Sequence, residues 1–141
     1  MTFKLLFVTD VHGSDRCFRK FVNAAKFYDA QVLVLGGDLT GKAVVPVIRG
    51  AGDAYSVSYT GRERQIQANE LDVLLQEIRF NGFYPFVTTP EELAEVEADP
   101  QGTTKLFQRA IRESLEGWTA LAEERLKPLG VKVYISPGND D

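Results

Sequence analysis

Three short apolar runs constrain this chain more than any other feature, because each one stops at a polar signature. Phe3 to Val8 leads into Asp10-Val11-His12. Val32 to Leu35 leads into Gly37-Asp38, and Val131 to Ile135 leads into Gly138-Asn139-Asp140-Asp141. Runs this short and this rich in branched apolar residues read as buried parallel strands. Carboxylates, an amide and one imidazole would then gather at the carboxyl ends of neighbouring strands. In open α/β sheets that edge is where ligands bind. The expected fold class is therefore α/β.

The segments between these runs support such a layout. Phe3–Thr9 is expected as the first strand, and Ser14 or Asp15 caps a helix over Asp15–Phe27. Its apolar face is Phe18, Phe21, Val22, Ala25 and Tyr28. Gln31–Leu35 follows as a parallel strand reached by a right-handed crossover. Val44–Arg49 and Tyr55–Thr60 read as a hairpin around Gly50-Ala51-Gly52-Asp53, with Pro46 marking an edge or a bulge. From Arg62 to Asn81 the period is read as helical, with Ile66, Leu71, Leu74, Leu75 and Ile78 on one face. Phe83–Val87 is extended, and Thr89-Pro90 opens another helix. The longest helix is expected over Thr103–Leu126, its apolar stripe centred on Trp118, before the last strand at Val131–Ile135. The whole chain, 1–141, reads as a single domain in which 43–99 is an insertion or lid beside the main sheet.

Composition narrows the function classes. The chain carries 16 basic and 20 acidic residues, a net charge of −4. An acidic balance does not indicate nucleic-acid binding. One cysteine, Cys17, allows no intramolecular disulfide, and a packing role is expected for it. No apolar stretch approaches the roughly 20 residues needed to cross a bilayer, so no membrane partner is expected and the default compartment is the cytoplasm.

Asp10 and His12 are close enough in sequence to converge on one ion after a strand end. Asp38 adds a second carboxylate and Asn139 a neutral amide oxygen. Mixed oxygen and imidazole ligation suits Mn, Fe, Zn or Co. A carboxylate can bridge two divalent ions, and a pair roughly 3.5–4 Å apart is the usual phosphoester-cleaving arrangement. A phosphoester substrate is the partner this chemistry implies.

These residues, in this order, resemble the calcineurin-like metallophosphoesterases. Asp-x-His, Gly-Asp and Gly-Asn-x-Asp recur there at strand ends. The resemblance implies that Asp10 and His12 bind a first divalent metal ion, Asp38 bridges two, and Asn139 binds the second. It implies hydrolysis by attack of a metal-bound hydroxide. It also implies the N-terminal half of a layered β-sandwich flanked by helices, with a hairpin and helical insertion.

The chain departs from that pattern in two ways. His12 is its only histidine, whereas the family continues with a further His and a Gly-His-x-His signature. The expectation is thus an incomplete domain, a fragment or one piece of a split protein, with weak metal binding and poor catalysis alone. A C-terminal complementing segment or chain is the expected partner, with an exposed apolar sheet edge and poor solubility alone as the expected signs of it. The second departure is Asp140, where the family commonly has His near the leaving group. An aspartate has a reference pKa of about 3.9; ionised, it repels a phosphate and disfavours monoester dianions more than diester monoanions. Asp140 is the expected catalytic position, and a phosphodiester preference the expected consequence.

Three other readings compete. A non-catalytic domain that binds a metal or a partner without turnover fits the missing histidines. Gly36 to Lys42 has the spacing of a phosphate-binding P-loop, but Ala43 follows where Ser or Thr is needed, and no helix start is visible. Arg62 and Arg64 are read as a solvated helix start, with a substrate-phosphate role as the alternative.

Overall fold

The computed structural model describes residues 2–139. It is an α/β protein with four α-helices and two sheets, one parallel and one mixed. The elements run β1 (Leu5–Val8), α1 (Asp15–Tyr28), β2 (Val32–Leu35), β3 (Val44–Arg49), β4 (Ala54–Tyr59), β5 (Arg62–Gln67), α2 (Leu71–Phe80), β6 (Tyr84–Thr88), α3 (Pro90–Ala98), α4 (Gly102–Leu126) and β7 (Lys132–Ile135). Among the described residues, no helix is long and apolar enough to cross a membrane.

The first sheet is parallel, in the order β1-β2-β7, so the three strands end at one edge. Its inner face packs against α1 and α4. Leu33 and Leu35 are fully buried there with Phe18, Phe21, Val22 and Ala25 of α1. Trp118 of α4 stacks on Phe18, ring centroids 4.4 Å apart and planes within 4°. The C-terminal part of its stripe, Trp118, Ala122 and Leu126, is core, with Leu115 and Leu121 packed against it. Tyr28 stays outside that core, and Cys17 is exposed on α1 instead of packed.

Among the described residues, nothing packs over the outer face of this sheet. Side chains alternate along a strand, and the alternate set is Phe3, Leu5 and Phe7, then Val32 and Val34 on β2 and Lys132 and Tyr134 on β7. Phe3, Phe7 and Tyr134 keep 67%, 60% and 57% of their surface. Parallel sheets are ordinarily covered on both faces.

The second sheet has the order β5-β4-β3-β6. Antiparallel β3, β4 and β5 form a meander, and β6 joins β3 in parallel. Its core is Val45, Val47, Tyr55, Val57, Ile66, Leu74 and Ile78, with α2 across one face. Two expectations need correction here. Arg62–Gln67 is a strand and not the first turns of a helix; Thr60 and Gly61, both at positive φ (53° and 72°), make a tight hairpin turn into it. Pro46 lies in a strand that has neighbours on both sides, yet the β3–β4 ladder begins only at Val47. Along Val44 to Pro46 the strand pairs with β6 alone, so a residue without an N–H fits.

Ser14 ties the two halves together. Its hydroxyl caps α1 by accepting from the Cys17 N–H (3.2 Å) and donates to the carbonyl of Phe80 at the end of α2 (2.7 Å).

Candidate metal centre

The edge at the ends of β1 and β2 is built by backbone hydrogen bonds that carry the parallel pairing beyond the strands. Gly36 N–H donates to Val8 O (2.7 Å), Asp10 N–H to Gly37 O (3.0 Å), His12 N–H to Asp38 O (3.0 Å), and Gly13 N–H to Leu39 O (2.7 Å). The two loops are thus laced together residue by residue. Asp10, His12 and Asp38 all have left-handed backbone, at φ 60°, 44° and 51°. Residues other than glycine seldom adopt that region, although Asp and His are among those that tolerate it. Three candidate ligands sharing it in two interlocked loops is a local strain of the kind that gathers at functional sites.

The result is convergence. Asp10, His12 and Asp38 each place a ligand atom within 4.8 Å of the other two. His12 Nε2 lies 3.5 Å from Asp10 Oδ1, with both side chains about half exposed. The Asp10 carboxyl is held below the usual carboxylate range, first by a hydrogen bond with the Thr9 side chain, then by the Asp38 carboxyl and His12. Ionised carboxylates facing each other repel unless a cation or proton lies between them.

Asp38 supplies the sharpest test of whether the residues fit a metal ion. Its Oδ1 is buried with no hydrogen-bond partner. A buried acceptor without a partner costs roughly 1–3 kcal/mol, more when charged. A hard cation against Oδ1 would remove that cost, and Asp10 and His12, with ligand atoms within 4.8 Å of an Asp38 carboxylate oxygen, would complete a mixed oxygen and nitrogen set.

The third signature reaches the same edge through glycine. Gly138 packs so closely on Asp38 that a Cβ there would fall 2.0 Å from Asp38 Oδ1 and 2.3 Å from its nitrogen. Gly37 meets the Gly138 backbone in the same way. This contact brings Asn139, an exposed residue, to the neighbourhood of Asp38. Asp140 lies outside the described residues.

Other expected features fall elsewhere. Gly36 to Lys42 leads into β3 and not a helix, so it is no P-loop; the Lys42 ammonium lies 5.0 Å from the centre of the Phe83 ring. Arg64, on β5, is bound to Glu77 of α2 at 2.8 and 3.0 Å. The Thr9 contact to Asp10 carried no sequence signal beyond adjacency. No family model, curated protein or solved structure matches this chain.

Proposed function

We propose that this chain is the metal-holding part of a phosphoester hydrolase that works with two divalent cations of the Mn, Fe, Zn or Co class. The observation that carries the reading is Asp38: a left-handed residue whose buried oxygen has no partner and which faces Asp10 and His12. Asp10, His12 and Asp38 would hold a first ion, with Asp38 bridging to a second held by Asn139. Divalent ions in such a site supply Lewis acidity toward a phosphoryl oxygen and lower the pKa of bound water. The chain's own residues fix the ligands. Thr9 orients the Asp10 carboxyl, the laced loops fix His12 beside it, and Gly138 lets the third loop close on Asp38.

The exposed face of the first sheet supports a complementing segment or chain as the partner. The Phe7 ring lies directly on Gly36, where a Cβ would come within 2.5 Å of it, so the apolar face runs up to the edge that carries the ligands. A segment docked on Phe3, Leu5, Phe7 and Tyr134 would end beside the metal centre and could add ligands there. A second reading is a domain that binds metal or a partner without turnover. The three-residue ligand cluster among the described residues favours it.

Manganese titration by calorimetry, alongside hydrolysis of bis(4-nitrophenyl) phosphate, separates these readings. The proposal expects weak manganese binding that Asp38→Asn removes, and turnover that appears or rises when the complementing polypeptide is added. Manganese binding without turnover in the completed protein would establish the second reading. Binding indifferent to Asp38 would sink both.

A further inference from the structure

A cleft of about 300 Å³ lies between α1 and α4 on one side and the end of α2 with β6 on the other. It contains none of the candidate metal ligands and shares only Gly13 with the loop that carries His12. Its apolar lining includes Phe83, Tyr84, Trp118 and Leu121. Arg19 of α1 and Arg79 of α2 also line it, and both are exposed toward solvent. Neither guanidinium has an ion pair or side-chain hydrogen bond among the described residues, whereas Arg49, Arg64, Arg109 and Arg125 each have one. Two carboxylates share the cleft. Asp15 accepts from Trp118 Nε1 at 2.5 Å, and Glu113 pairs with Arg109 at 3.8 Å on the solvent side of α4.

We propose that this cleft binds a small organic phosphate, its phosphoryl group between Arg19 and Arg79 and its apolar part against Phe83, Tyr84 and Trp118. Guanidinium forks match phosphoryl oxygens, and small-molecule sites are mostly apolar with a few converging polar groups. Two guanidiniums on different helices suit a tetrahedral group with oxygens on several sides better than a planar carboxylate. The site needs no metal and stands apart from the hydrolase reading.

Trp118 is the protein's only tryptophan and forms part of the cleft wall, so its fluorescence reports occupancy. The probe is phenylphosphonate, titrated with and without manganese, with benzoate and inorganic phosphate as comparisons. The expected result is a saturable change with a Kd of about 1 mM or tighter, the same with and without manganese. Arg19→Gln and Arg79→Gln should each weaken it about tenfold, in line with loss of one charged hydrogen bond. Arg112→Gln, on the exposed side of α4, should not change it. Circular dichroism on each variant separates lost binding from lost folding. The proposal is overturned by no saturable change, by binding indifferent to both arginines, by equal affinity for benzoate, or by a response that requires manganese.

Discussion

The two sheets of this molecule differ in how their outer faces are finished. On the second sheet, β4 and β5 turn Ser56, Ser58, Glu63 and Gln65 outward, opposite a core of Tyr55, Val57 and Ile66. On β4 that is the inside–outside alternation of a half-solvated antiparallel sheet, while edge strand β5 buries only Ile66. On the first sheet, the outward set is Phe3, Leu5, Phe7, Val32, Val34 and Tyr134, with Lys132 as its one charge. One half is closed against water on its own terms and carries no metal-ligand cluster among its described residues. The other half is apolar on a face it leaves open, and every described candidate ligand stands on it. Each half has its own buried core, and the candidate ligands belong to the half whose outer face stays exposed.

That division can be broken from either side, and the largest effect is expected in the closed half. Ile78 is fully buried under the second sheet. Ile78→Ala should cost about 2–5 kcal/mol, read as a shift in the urea midpoint, while manganese affinity of the folded fraction stays unchanged. A loss of manganese affinity in that fraction would show that the halves are coupled.

Gly138→Ala attacks the joint at the site. A Cβ 2.0 Å from Asp38 Oδ1 has no room, so the third loop must move off the second. A cost of about 1–3 kcal/mol is expected, as for other overpacked positions, with weaker manganese binding in calorimetry. Wild-type affinity in this variant would remove the third loop from the metal centre.

The polar bridge in the closed half is worth less and depends on pH. Glu77 accepts from Tyr59 Oη and Arg64, in that order of influence, and both hold its carboxyl below the usual range. Its contribution is present above the unfolded glutamate value and is lost as pH falls through the lowered folded one. Tyr59 has its pKa raised, by burial first and then by Glu77. Its contribution is present below the unfolded tyrosine value and is lost as pH rises through the raised one. Glu77→Gln should therefore flatten the fall in stability at both ends of a pH series of urea melts. At neutral pH it should cost about 0.2–1 kcal/mol, as a partly exposed pair does. A variant with an unaltered pH profile would contradict the assignment.

The smallest effect on stability belongs to the open face. Phe7→Lys should change the unfolding free energy of the isolated chain by no more than about 0.5 kcal/mol, since that side chain is 60% exposed. It should raise solubility and abolish any gain in turnover from a complementing polypeptide. Retained complementation would place the partner elsewhere.

Much of the layout was legible in the sequence, and the failures have physical causes. The three strands of the first sheet, α1 and α4 showed themselves through run length and helical period, since each buries one continuous apolar set. The capping pair Thr89 and Glu92 marked the start of α3, as its reciprocal hydrogen bonds show. The strand Arg62–Gln67 was hidden because an edge strand with one buried residue, Ile66, shows no alternation. Its only local clue was the Thr60-Gly61 turn. Pairing of β3 with β6 was illegible because parallel partners meet through a crossover that no local pattern encodes. For the site, the signatures named Asp10, His12 and Asp38, and the structure brings them together. Neither the left-handed backbone of all three nor the orphaned oxygen of Asp38 could be read from residue types. Arg19 and Arg79 share a cleft only because α1 and α2 pack side by side.

The left-handed backbone at Asp10, His12 and Asp38 bears on how an ion would be exchanged. Such conformations cost of order 1–3 kcal/mol each, and here the backbone hydrogen bonds between the interlocked loops hold them. A cation would find its seat already shaped, with no segment left to fold around it. Chelators should then strip the site while the fold stands, and occupancy should follow the free ion concentration rapidly and reversibly, as a gauge does.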